Sequence, residues 1–233
     1  MLSIKLPDGS EKQLPDGSNG YDLAKSIGPG LAKSAIAVTI DGVQKDLSDL
    51  LADNTTVSII TIDSNEGLEI MRHTLTAQVL ASAIKNLYPN CKLAIGPTID
   101  DGFYYDVLSD ESISSEDLES IEKEMRLIIK EKSTIKKTLH NKADAINSFK
   151  NLKEDYKVKI IEDSDQEKDF QIYTNQDTSF IDLCVGPHLP DLSFIGSYKL
   201  TKVSGAYWKG DSQNEMLTRI YGTAWQSTKD LES

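Results

Sequence analysis

Cys184 and His188 stand four positions apart, and Asp182 precedes the thiol by two. A thiol beside an imidazole can act as nucleophile and base, or the imidazole alone can carry a proton. On a continuous helix, residues i and i+4 share a face. Here Gly186-Pro187 lies between them, so the two side chains are expected to converge from a loop or a helix end. The plain alternative is a small buried cysteine next to a satisfied core histidine. Only two other histidines exist, His73 and His140, so each can be weighed singly. His140 closes an alternating stretch and reads as a surface residue. Lys157 and Lys159 look like ordinary exposed lysines on pattern alone.

Other residues that could meet a ligand lie earlier. Gly96-Pro97 and Asp101-Gly102 flank a run of aromatics, Phe103-Tyr104-Tyr105. Gly96 and Gly102 would let a ligand approach the backbone closely, or simply build a hairpin.

The 233 residues suffice for one large domain or two modest ones. Hydrophobic residues at 39% and charged residues at 27% are ordinary for a globular chain. No run of about 18 apolar residues occurs, and the first residues lack the apolar core of a signal peptide. Two distant cysteines and no export signal lead us to expect a reducing cytoplasm, free thiols and no membrane. The net charge of −12 argues against broad, sequence-blind nucleic-acid binding. It leaves room for a local basic patch on an acidic body.

The elements that must position these residues can be read in order. Ser3–Leu6, the turn Pro7-Asp8-Gly9-Ser10 and Glu11–Leu14 form a hairpin signal. Tyr21–Ile27 reads as a short helix stopped by Gly28-Pro29-Gly30. Ala35–Ile40 and Val57–Ile62 read as strands. These elements predict a ubiquitin-like β-grasp module over residues 1–62. It contains no His and no Cys, nothing in it looks catalytic, and we expect a docking module. Asp63–Gly67 is a polar break, with Ser64 as N-cap of a helix running to about Leu87. Ser114 and Asp117 open an amphipathic helix of about 18 residues. Thr134–His140 alternates as a strand, and Lys142 to about Asn151 reads as a helix. Phe170–Tyr173 and Phe180–Leu183 are strands leading into Cys184. Tyr198–Val203 and Leu217–Trp225 follow as further strands. Ser227–Leu231 reads as the start of a helix, and the chain then stops, as a fragment of something longer would.

Several motifs taken together resemble one family. They are His73 opening its helix, Ala94-Ile95-Gly96-Pro97 with Asp101–Asp106, Asp182–His188, Ser204–Asp211 and Arg219–Trp225. Together they resemble the N-terminal half of bacterial threonyl-tRNA synthetase, over essentially the whole chain. The resemblance implies an α+β fold. A TGS β-grasp domain at 1–62 would be followed by a larger editing domain at 63–226, built on a mostly antiparallel sheet. Residues 227–233 would begin a linker helix. It also implies hydrolysis of Ser-tRNA(Thr), with the tRNA 3′ end carrying serine as partner. Serine lacks one threonine methyl, and one methyl discriminates by only about 1–3 kcal/mol, so a second hydrolytic site is useful. Aminoacylation would belong to catalytic and anticodon-binding domains elsewhere. No Arg-x-Glu of a class II motif occurs here, so no threonyl-adenylate is expected.

Carried over from the family, the catalytic residues would be His73, Lys157, Cys184 and His188. Gln78, Gly96, Tyr105 and Asp182 would bind substrate. Lys157 and His73 would position water or substrate hydroxyls, and His188 could shuttle a proton. The family's His-x-x-x-His departs here to His73-Thr74-Leu75-Thr76-Ala77-Gln78. Aligned from the left, the pair becomes His73 and Ala77. Aligned from the right, one residue is extra and the pair becomes Thr74 and Gln78, turning His73 about 100° away. Either way the second His is absent, and editing could be weakened, altered or lost. The main alternative is a degenerate domain that only positions tRNA. No cofactor is expected. Zinc is the alternative, held by His73, Cys184 and His188, which would make the chain a zinc hydrolase of another substrate.

Overall fold

A computed structural model describes residues 1–233. The first strands are β1 (Leu2–Lys5) and β2 (Glu11–Leu14), joined through Gly9 at φ +86°. Helix α1 (Gly20–Ile27) begins on an Asn19/Asp22 capping box and ends at Gly28. Pro29 does not merely stop it: as first residue of α2 (Pro29–Ser34) it starts a second short helix. Strands β3 (Ala35–Ile40), β4 (Val43–Asp46) and β5 (Thr55–Thr61) complete a sheet in the order β2-β1-β5-β3-β4. Only β1 and β5 run parallel, which with the crossing helix makes a β-grasp.

Ser64 caps α3 (Asn65–Thr74), accepting from the Gly67 N–H at 3.0 Å. The helix does not continue as α. Leu75–Leu80 form a π turn, closed by the Ala81 N–H on the Thr76 carbonyl, and α4 (Ala81–Leu87) resumes the α period. All six π residues are buried. Short strands β6 (Lys92–Leu93) and β7 (Thr98–Ile99) lead to β8 (Gly102–Leu108). A capping box at Ser114/Asp117 opens α5 (Leu118–Lys130). Then come β9 (Ile135–His140), α6 (Lys142–Asn151), α7 (Asp155–Asp163), β10 (Phe170–Asn175) and β11 (Ile181–Leu183). The chain closes with β12 (Ser197–Tyr207), β13 (Met216–Trp225) and α8 (Thr228–Glu232).

Two antiparallel sheets result, β11-β10-β9 and β12-β13-β8-β6, the latter with β7 beside β8. The whole is α+β and mostly antiparallel. The largest hydrophobic cluster joins Met71, Leu75 and Leu80 of the long helix to Phe103 and Tyr105 of β8 and Ile121 and Met125 of α5. It also takes in Ile36, Ala37 and Ile60 of the first sheet. Strand β3 is therefore buried on both faces: Ala35 and Val38 belong to the small core, Ile36 and Ala37 to the large one. No helix is long and apolar enough to cross a membrane.

Candidate active site

Asp182 points inward from β11 and is almost fully buried. One carboxylate oxygen meets Lys157 Nζ at 2.8 Å, and the other accepts from the Tyr105 hydroxyl at 3.0 Å. Lys157 is not the exposed lysine that its local pattern suggested. Residues 155–163 are helical, and the helix turns Tyr156, Lys157 and Ile161 inward, leaving Lys157 3% exposed. Helix α7 is fixed at both ends. Glu154, before its first turn, accepts the Leu93 N–H and pairs with Lys85. Trp208 stacks at a tilt on Tyr156, centroids 4.7 Å apart, and Lys209 pairs with Asp163. The Ser204–Asp211 motif thus holds the helix that carries Lys157.

The Arg219–Trp225 motif secures the other wall. Arg72, one residue before His73, lies over the Trp225 ring and donates to the Ala224 and Asp100 carbonyls at 2.9 Å. His73 then stacks on His188, centroids 4.4 Å apart and planes 9° from parallel. Thr74 reaches the same ring from its edge, with Oγ1 2.8 Å from Nδ1 of His188. That oxygen also accepts the Leu189 N–H at 2.9 Å. Sγ of Cys184 lies 2.6 Å from Nε2 of His188. Cys184 and His188 do converge from a loop, which contains a cis Gly186-Pro187 bond.

Burial pushes His188 well below the ordinary histidine range, and His73 beside it adds to this. Burial also lowers His73, against a smaller opposing pull from Asp182. Burial, with Asp182 next, raises the Cys184 thiol well above its usual value. At neutral pH the pair is therefore a neutral imidazole and a thiol. One nitrogen of His188 donates and the other accepts, so the Cys184–His188–Thr74 chain can hold its protons in either sense. A raised thiol pKa disfavours Cys184 as a nucleophile.

A cavity of about 620 Å³ opens over this arrangement. Its inner end is lined by His73, Ala77, Lys157, Asp182 and Cys184, and Gly96 and Pro97 form one side. Its outer end runs to Gln166, Asp169 and Gln171. His73 Nε2 is buried without a partner. Gly96 lines the cavity because no side chain fits there: a Cβ would lie 2.2 Å from the Tyr105 ring. Tyr105 and His188 do not line this cavity. Tyr105 stands behind Asp182, and His188 behind Cys184 and His73. Each would act through the residue in front of it.

The two helix alignments resolve geometrically. His73 and Ala77 face the cavity. Gln78 does not, contrary to the expectation that it binds substrate. Within the π turn it is fully buried, and its amide donates to the Tyr173 carbonyl at 3.1 Å. Thr76 is likewise turned to the Tyr104 carbonyl at 2.8 Å. Donor atoms of His73, Cys184 and His188 lie within 4.8 Å of one another, so these three could hold a metal.

One group was missed from sequence. Asp46, from the first sheet, accepts the His188 N–H at 2.9 Å and the Tyr173 hydroxyl at 2.8 Å. The N-terminal module, read as a bare docking unit, brings a carboxylate to the site. An aspartate before a turn carries no local signal of this.

Residues 2–61 match the TGS domain, and residues 170–221 match the threonyl and alanyl tRNA synthetase second additional domain. A threonine–tRNA ligase of Acidithiobacillus ferrooxidans is 46% identical over 233 residues, 100% of this chain. One of Francisella tularensis is 48% identical over 232 residues. The chain belongs with the N-terminal part of the threonine–tRNA ligases. It spans 36% of the length of these relatives. Within the chain, the second-additional-domain match carries Asp182, Cys184, His188 and Trp208. His73 and Lys157 lie before it, and Asp46 comes from the TGS part.

Proposed function

We propose that the chain hydrolyses the ester of serine mischarged on tRNA(Thr). The observation that carries this reading is one cavity lined at once by the buried Lys157–Asp182 pair and by His73, an imidazole with one nitrogen unpartnered. Ester hydrolysis needs a held water, a base and a donor for the developing oxyanion. Neutral His73, which lines the cavity, can take a proton from water there. The Lys157 ammonium can donate to the carbonyl oxygen as negative charge grows there. Asp182 can receive the seryl ammonium while it holds Lys157. Water adds to the carbonyl carbon, the ester C–O bond breaks, and the ribose oxygen leaves with a proton. Tyr105 orients Asp182, and Cys184, backed by His188, lines the cavity beside them. Attachment of threonine would fall to catalytic and anticodon-binding parts beyond this segment. The setting would be the cytoplasm, where both thiols stay reduced.

The test is to incubate the chain with Ser-tRNA(Thr) and with Thr-tRNA(Thr). The expected result is loss of the seryl ester about tenfold or more above the uncatalysed rate, with the threonyl ester spared. Seryl-ester loss at the background rate would overturn the reading. If tRNA still bound, a tRNA-positioning role would stand instead. The three clustered donors support a second reading, a zinc ion on His73, Cys184 and His188. Bound there, zinc would polarise a carbonyl and acidify its water. Activity unharmed by a chelator, in protein that analyses free of zinc, decides against it.

A further inference from the structure

We infer that Asp46 is a positioning residue of this site, so the TGS module forms part of the hydrolytic centre. The activity readout rests on the function proposed above; the chemical readout below does not.

The loop from Cys184 to Leu189 has no regular ladder to hold it. Side chains from three separate elements satisfy its backbone instead. Gln171 Oε1 accepts the Gly186 N–H at 3.1 Å, Thr74 Oγ1 accepts that of Leu189, and Asp46 Oδ1 accepts that of His188. The Asp46 bond acts on the residue whose ring touches Cys184, Thr74 and His73. The second Asp46 oxygen accepts from Tyr173, whose ring meets His188 edge-on with centroids 4.3 Å apart. The Tyr173 hydroxyl packs so tightly on the loop that a Cβ on Gly186 would lie 1.8 Å from it. Asp46 thus fixes both the backbone beneath His188 and the ring against its edge.

Asp46 is itself held in place. Lys137 of β9 lies 3.3 Å from it and makes two bonds to Asp49, at 2.7 and 2.9 Å. Asp49 in turn accepts the Asp46 N–H at 3.0 Å. The carboxylate is buried, so losing it strands the His188 N–H and the Tyr173 O–H in a region of little water. A second cavity, of about 380 Å³, is lined by Asp46, Tyr173 and His188. It gives a released loop room to move.

The experiment compares the parent chain with Asp46→Ala and Asp46→Asn. Asn keeps one acceptor where three donors converge, so it preserves shape but only part of the bonding. Folding is followed by circular dichroism. Site-resolved alkylation by iodoacetamide reads Cys184, with buried Cys91 as internal reference. Seryl-ester hydrolysis gives kcat and KM. Asp46→Ala should change the Cys184 rate by about threefold or more. It should lower kcat about 10–100-fold with KM little moved. Asp46→Asn should show the same changes to a smaller degree, and it serves alone if the alanine variant does not fold. A folded variant with Cys184 alkylation and kcat within about twofold of the parent overturns the inference, leaving Asp46 a mere contact between modules. If no form hydrolyses the ester but Asp46→Ala still alters Cys184, the proposed function fails and the positioning role survives.

Discussion

Lys157 and Asp182 show how far a single residue can be read. Asp182 stood out at once because it precedes Cys184 by two. Lys157 did not stand out by pattern, because a lysine in Tyr-Lys-Val-Lys-Ile looks exposed until its helix is known, and only the family resemblance pointed to it. Their mutual burial makes two linked predictions. Lys157→Met strands a buried carboxylate and should cost about 3–5 kcal/mol, read as a lower urea midpoint. Adding Asp182→Leu removes the orphaned charge and should recover most of that loss. Neither variant should hydrolyse the ester. A double variant no more stable than Lys157→Met would mean that the pair is open to water. Thr74 offers a finer probe. Thr74→Val keeps the shape but leaves the Leu189 N–H and one nitrogen of His188 without a partner. It should cost about 1–3 kcal/mol in the same assay.

At the scale of elements, hairpins, caps and helical periods were legible because they depend on neighbours in sequence: Ser64 and Ser114/Asp117 cap as expected, and the Asn19/Asp22 box is a further cap of the same local kind. The π turn was visible only as an ambiguity, one residue too many between His73 and Ala83. Packing between two sheets resolves it, with Thr76 and Gln78 bonded to opposite sides. Ala77 is left facing the cavity beside His73. Ala77→His should therefore add a fourth donor to His73, Cys184 and His188. It should tighten zinc affinity at least about tenfold by isothermal titration. An unchanged affinity would show that residue 77 does not face these donors. Trp208 belongs to the same scale. Trp208→Ala unseats α7 and should cost about 3–5 kcal/mol, with kcat falling because Lys157 moves.

For the molecule as a whole, the fold class and the order of its two parts were readable, but their union was not. Apolar alternation says that β3 is a strand; it does not say that both its faces are covered. With Ile36, Ala37 and Ile60 sharing the large core, the two parts should melt together. Calorimetry should show one transition whose calorimetric and van't Hoff enthalpies agree. Two separated transitions would mean that the shared core contributes little.

The π turn also has a meaning for how such a site changes over generations. It works as a phase shifter within one long helix. The stretches on either side keep step with the core, and only the few residues between them slip by one place. A gene that gains or loses a single codon there re-faces the cavity wall while the scaffold stays in register. The cost of such an edit falls on the Thr76 and Gln78 bonds, which hold the slipped residues to the two sheets.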